Sequence, residues 1–398
     1  MNLIWGIFGI AVVLSIAFLF STNKKSIRLR TIIGGLSIQI AFAFIVLKWE
    51  KGKEGLEWFT LRVQDIINYA NEGISFLFGS LADSDEFGTI FAFHVLPIII
   101  FFSALISVLY YLGIMQQFIK ILGGGLSKLL GTSKAESISA ASNIFVGQTE
   151  APLVVRPFLE KMTKSELFAV MTGGLASVAG SVLVGYSLLG VPLEYLLAAS
   201  FMAAPSGLVM AKMMMPETET SQTTDEVELE KDTETVNVID AAAKGASDGL
   251  KLALNVGAML LAFIALIALV NGILGIFGGI TLEGILGYIF SPVAFAIGVP
   301  WSEAITAGSF IGQKLVLNEF VAYASFTSEM GSLSEKTNLI VSFALCGFAN
   351  LSSMAILLGG LGGLAPNRRK DIATLGLRAV AAGMLASLLS AAVAGMFF

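Results

Sequence analysis

AESISAASNIFVGQTEAPLVVRPFLEKM, residues 135–162, is apolar towards both ends and interrupted in the middle by Asn143, Gly147, Gln148, Thr149, Glu150 and Pro152. A lipid-facing helix cannot carry such a run, because hydrocarbon offers no hydrogen-bond partners to broken backbone. Two half-helices fit it, each of about ten to twelve residues or roughly 15–18 Å, reaching the bilayer midplane and turning back. A re-entrant hairpin of that kind presents helix ends and free backbone groups, which bind polar solutes and cations. The stretch is expected to form a transport site.

Composition sets the class. Of 398 residues, 56% are hydrophobic and 13% charged, and the mean hydropathy is +0.83; soluble domains lie far from these values. The expected fold is an all-α polytopic membrane protein with eight transmembrane helices, two re-entrant helical hairpins of inverted topology and interfacial amphipathic helices. No basic patch suggests nucleic acid as a partner. The single Cys346 excludes an internal disulfide and a thiolate metal cluster. Residues 3–20 lack a basic stretch before them and have Lys24, Lys25, Arg28 and Arg30 after them, which reads as a retained first span.

Apolar runs place the spans at 3–20, 30–47, 90–119, 166–190, 193–213, 251–275, 338–364 and 374–397. Most Lys and Arg residues then fall on one face, including Lys120, Lys128, Lys161, Lys212, Lys244 and Arg368 to Lys370. The positive-inside rule therefore puts both termini outside. Between spans two and three, Phe59, Val63, Ile66, Ile67, Ala70, Ile74 and Leu77 recur at helical spacing, which predicts a helix lying on the outer surface or packed on protein. Pro216 to Asp240 carries nine carboxylates against Lys231 alone and reads as a solvated cytoplasmic linker.

The chain also repeats itself. Residues 136–142, ESISAAS, are echoed by 303–309, EAITAGS, each followed by Gly-Gln (Gly147-Gln148 and Gly312-Gln313). The next spans match too, Gly174 to Gly180 against Gly347 to Ser353. With the first hairpin entering from the cytoplasm and the second from outside, this is an inverted repeat, an organisation of secondary transporters; the alternative is chance likeness among small-residue packing helices. Glu150, Asn318 and Glu319 sit in apolar surroundings, where a mid-membrane carboxylate costs about 2.5–3.5 kcal/mol on insertion scales, so they are functional candidates. Other signals are discounted: Gly245 to Gly249 fits a nucleophile elbow with no strand before it, Gly360 to Ala365 resembles a dinucleotide loop but ends a membrane helix, and His94 and Cys346 read as packing residues.

Three long motifs, GQTEAPLVVRPFLEKM at 147–162, GSFIGQKLVLNEFVAYASF at 308–326 and CGFANLSSMAI at 346–356, closely resemble the concentrative nucleoside transporters, bacterial sodium-coupled branch. The resemblance covers nearly the whole chain. It implies a homotrimer whose protomers each hold a scaffold and an elevator-like moving domain importing nucleosides of the uridine, cytidine and adenosine class. Gly147, Gln148, Thr149 and Glu150 would face the nucleobase, with Val182 packed against it. Glu319, Asn350 and Ser353 would hold the ribose, with Phe348 beside them. Asn143, Val146, Ser177 and Val178 would coordinate a sodium ion, the coupling ion, the last three partly through carbonyls; no organic cofactor is implied.

On this reading residues 1–134 form scaffold spans one to three with an interfacial helix, 135–214 the first hairpin with spans four and five, 215–250 the acidic loop and a linker helix, 251–289 span six, and 290–398 the second hairpin with spans seven and eight. Two rivals stay open: proton coupling through Glu150 or Glu319, and a membrane-embedded enzyme, which would need a nucleophile–base pair or metal ligands.

Overall fold

The computed structural model describes residues 2–82, 90–223, 235–276 and 279–398, and every regular element among them is helical. Helices α1 (Asn2–Leu19) and α2 (Leu29–Leu47) precede α3 (Glu50–Phe78), which buries Ile67, Ala70 and Ile74 and leaves Trp58, Tyr69 and Phe76 exposed. The expected amphipathic helix is present, although Phe59 and Leu77 at the ends of its apolar stripe are exposed rather than packed.

Helix α4 (Phe91–Tyr111) ends earlier than the run at 90–119 suggested, because Gly113 takes a left-handed turn (φ +77°) and a separate helix α5 (Ile114–Leu130) begins. Glycine terminates a helix in this way at little cost. Then come α6 (Lys134–Ser142), α7 (Lys164–Ala176), α8 (Gly180–Leu188) and α9 (Leu193–Met214). Where the opening stretch suggested a second half-helix, the chain forms a 3-10 segment, Ala151–Phe158, with Val155 non-helical. Pro152 and Pro157 explain it, since proline donates no N–H and pushes the preceding residue out of the α region.

Helix α10 (Val238–Gly275) is 38 residues long, so the linker helix and span six are one element and no boundary falls at 251. Gly245 and Gly249 lie so close to α4 that an added Cβ would sit 2.6 Å from the Ser107 Cβ and 2.7 Å from the Ser103 Cβ, respectively. Small residues permit such backbone approach between membrane helices. The chain closes with α11 (Leu282–Ala296), α12 (Ala304–Val316), α13 (Glu319–Glu329), α14 (Glu335–Leu345), α15 (Ser353–Leu364) and α16 (Arg369–Gly395). Because α11 runs through residue 290, the expected boundary there falls inside a helix.

Seven helical segments among the described residues are long and apolar enough to cross a membrane. The run at 338–364 is not one of them, because it divides into α14 and α15 around an extended stretch at Cys346 and Gly347. Burial separates the long segments into two classes: 94% of the α7–α8 window and 89% of that of α9 are buried, against 17% for α10 and 22% for α4. Helix α16, packed on α7, α9 and α14, belongs to the first class, and apolar α10 keeps large side chains such as Leu261 and Leu269 at the surface.

The acidic linker is not solvated throughout. Its first residues lie on the amino ends of α6 and α7 and the carboxyl end of α9: Thr163 Oγ1 donates to Glu217 (2.7 Å), and Ser221 Oγ and Thr223 Oγ1 both donate to Glu166 at 2.5 Å. Beneath them Lys212 pairs with Glu136 at 2.6 Å and donates to Ser165. Residues 224–234 of that linker lie outside the described residues.

Candidate functional site

Two helix breaks build the site. In the first, α7 stops at Ala176 and the chain runs extended through Ser177 (φ −116°, ψ 175°) to Ala179 before α8 starts. In the second, α14 stops at Leu345 and Gly347 adopts φ +156°, a conformation L side chains rarely take. A Cβ on Gly347 would lie 2.9 Å from Ala176 O, so the glycine also lets the breaks meet. They are joined directly: Phe348 N donates to Ser177 O at 3.1 Å.

The loop 143–150 after α6 lies on the first break. Gly180 N donates to Phe145 O at 3.0 Å, and a Cβ on Gly174 would sit 2.9 Å from the Gln148 Cβ and 3.7 Å from Asn143 Oδ1. Asn143 Nδ2 donates to Ser139 O at 2.9 Å, which leaves Oδ1 buried without a partner. Ser177 Oγ turns back to Gly173 O. No N–H among the described residues donates to Val146 O or Val178 O. Asn143 Oδ1 and the carbonyls of Val146 and Val178, all in buried residues, thus stay open in the loop and the first break, beside Ser177, whose own carbonyl is taken by Phe348 N. A hard alkali cation accepts neutral oxygens of this kind.

The second break meets the junction of α12 and α13. Leu351 N donates to Leu315 O at 3.1 Å, and Asn318 caps α13 by accepting from Val321 N. Glu319, 4% exposed, accepts from Asn350 Nδ2 (2.8 Å) and from Tyr186 of α8 (3.2 Å). Asn350 Oδ1 in turn accepts from Ser352 Oγ at 2.7 Å and Ser353 N at 2.8 Å. Across from this chain, Gln148 Nε2 reaches Ser353 Oγ at 3.4 Å while Gln148 Oε1 is buried and unpartnered. So Gln148, Glu319, Asn350 and Ser353 form one connected set, with half-exposed Phe348 and buried Val182 on the same two breaks.

Thr149 and Glu150 stand at the edge of this set. Thr149 Oγ1 donates to Glu150 Oε1 at 2.9 Å, and Glu150 is exposed, unlike the buried carboxylate expected from its apolar neighbours. A Cβ on Gly147 would meet Glu150 Oε2 at 2.5 Å, so any side chain there would turn the exposed Glu150 carboxylate aside. Sequence reasoning missed Tyr186, fully buried between Phe320 and Tyr323 with ring centroids 4.6 and 4.5 Å away. Its position in an ordinary apolar run carried no signal.

Family models described as "Na+ dependent nucleoside transporter N-terminus", "Nucleoside recognition" and "Na+ dependent nucleoside transporter C-terminus" match residues 8–81, 92–193 and 195–395. The chain belongs to the concentrative nucleoside transporter family. It is 64% identical to the uncharacterized transporter YutK of Bacillus subtilis over the full length of both. It is 51% identical to the nucleoside permease NupC of Helicobacter pylori, over 99% of this chain and 97% of that one. The solved structure of CNTnw in an inward-facing substrate-bound state superposes with a TM-score of 0.96 at 56% identity, covering 100% of this chain and 99% of that one. A multi-pass membrane protein of the nucleoside transporter family thus carries these two breaks.

Proposed function

We propose that the protein is a sodium-coupled symporter that brings nucleosides into the cell. The observation that carries this reading is the buried Glu319 carboxylate, held by Asn350 and Tyr186 and linked through Asn350 and Ser353 to Gln148. An ionised carboxylate can accept both hydroxyls of a ribose diol in charge-assisted bonds. Gln148 offers the donor and acceptor that a mixed nucleobase edge needs. Gly147, Thr149 and Glu150 flank the base, Val182 and Phe348 pack on the solute, and Ser353 joins Asn350 at the ribose.

Sodium is the coupling ion in this reading. Asn143 Oδ1 and the carbonyls of Val146 and Val178, with Ser177, would hold it, and the buried, unpartnered Asn143 oxygen fits that role. The ion supplies free energy from its gradient. About 2.3 kcal/mol per 100 mV plus about 1.4 kcal/mol for a tenfold gradient sustains accumulation of a few-hundredfold. The chain's own part is to exclude protons as the coupled species, since none of those ligands titrates. The proton reading through Glu319 or Glu150 fails to account for the free oxygens.

The membrane arrangement belongs to the same proposal. Residues 135–162 and α12–α13 enter the bilayer as hairpins of opposite topology, and α7–α8 and α14–α15 each cross it as broken spans, giving eight crossings with both termini outside. The buried helices α7, α8, α9, α14 and α16 with the hairpins form the moving part, and the surface-exposed α4 and α10 the scaffold of a homotrimer. Accumulation of labelled uridine in proteoliposomes under an inward sodium gradient, abolished in choline, tests the proposal. Equal uptake in choline that collapses with a protonophore would replace sodium with protons.

A further inference from the structure

Lys314 takes no part in the site above, yet it is fully buried in the last turn of α12. Its ammonium donates to Ala344 O at 2.8 Å and to Ser387 Oγ at 3.0 Å. Ser387 Oγ donates to Cys346 O at 3.1 Å. A lysine is therefore seated on the carboxyl end of α14, directly and through one hydroxyl on the first carbonyl of the second break. A helix carboxyl end concentrates partial negative charge, and in dry protein its released carbonyls need a partner.

The first break has the same need and meets it differently. The carboxyl end of α7 receives the Ser177 hydroxyl, while no lysine or arginine among the described residues donates to residues 173–178. In place of a side-chain cation there are the unpartnered Asn143 Oδ1 and the open carbonyls of Val146 and Val178. Asn143 lies just after α6 and Lys314 in the last turn of α12, and α6 and α12 begin with the two copies of the repeated segment. We infer that Lys314 is a tethered cation: it fills permanently, at the second break, the place that an exchangeable cation takes at the first. Each protomer then moves one cation through its breaks instead of two. The inference rests on the sodium reading of the first break and adds a positioning role for Lys314, which acts through the carbonyls it holds.

The test is the charge carried per uridine, from reversal potentials in proteoliposomes, with the sodium activation curve of uptake. Wild type and Lys314→Arg should carry one charge and activate with a Hill coefficient of about 1, whereas Lys314→Ala should steepen towards about 2 as sodium takes the vacated place. Its half-activating sodium concentration should rise about tenfold or more, because a second ion must now bind from solution. Two charges per uridine in the wild type would overturn the inference, and that measurement decides the matter even if Lys314→Ala fails to insert. So would Lys314→Ala that inserts but keeps the wild-type curve, or that binds no uridine at any sodium concentration, since a simple brace would behave so. Sodium-independent uptake by the wild type would overturn the symporter reading itself, a result distinct from a sodium-dependent carrier with two charges.

Discussion

Asn350 Nδ2 donates to Glu319 Oε2 at 2.8 Å, tying the second break to the first turn of α13. The other carboxylate oxygen is held by Tyr186, so the acid is fixed on both sides before any solute arrives. Glu319→Gln keeps the shape and removes the charge. Uridine binding to the inserted protein should weaken by about 10- to 150-fold, the equivalent of about 1.5–3 kcal/mol for a charged hydrogen bond. Calorimetry on detergent-purified protein measures it, and affinity within twofold of wild type would remove Glu319 from the ribose.

The same geometry makes a statement about the ligand. If Glu319 and Asn350 read the diol, 2′-deoxy- and 3′-deoxyuridine should compete for uptake at least about tenfold more weakly than 5′-deoxyuridine, each lost hydrogen bond to the charged acid being worth about 1.5–3 kcal/mol. Equal competition by all three would place the diol elsewhere.

Asn143→Ala combined with Ser177→Ala removes two neutral oxygens from the first break and leaves the Glu319 side untouched. Half-activating sodium for uridine uptake should rise about tenfold or more while the maximal rate at saturating sodium falls less, as expected when a ligand's site is weakened but the coupled site is kept. An unchanged sodium curve would exclude these residues as ligands.

Residues 217–223 and residues 224–234 should behave differently. Glu166 accepts from Ser221, Thr223 and Thr163 N, so Ser221→Ala with Thr223→Val strips two donors from a carboxylate at the start of α7. Thermal unfolding in detergent should register a loss of about 1–3 kcal/mol. A Gly/Ser replacement of 224–234 alone should leave both unfolding and uptake unchanged, and loss of uptake there would reveal a docking role for that segment.

Gly347→Ala tests the junction of the breaks. A φ of +156° and a Cβ 2.7 Å from Ser387 Oγ and 2.9 Å from Ala176 O leave no room to relax. Strain of about 1–3 kcal/mol should appear as reduced thermal stability and lost uptake. Gly359→Ala, where a Cβ meets nothing within 4 Å, is the control and should be silent.

Much of this was legible because function in a membrane helix leaves polar and small residues where lipid physics forbids them. Asn143, Gly147 to Glu150, Ser177, Gly347 and Asn350 all stand out against apolar neighbours, and the structure brings all but Thr149 and Glu150 into buried positions. Tyr186 was invisible because an aromatic in an apolar run is what any packed helix contains. The clasp on Glu166 was hidden by distance, since Ser221 and Thr223 look like the rest of an acidic linker until Glu166, more than fifty residues earlier, is beside them. The start of α10 was misplaced because Lys244, Asp248 and Lys251 lower the local hydropathy while remaining compatible with a helix that Asn237 caps at Asp240 N.

On the proposed reading, the hydrogen bond from the Phe348 amide to the Ser177 carbonyl is a party wall between the place of the solute and the place of the ion. A substitution that reshapes the solute side at Phe348 displaces the backbone of a proposed ion ligand. Selectivity and ion affinity are thus hard to inherit separately in this protein: variants selected for a new nucleoside at Phe348 should arrive with an altered appetite for the ion, and second-site changes near Ser177 should be the ones that restore it.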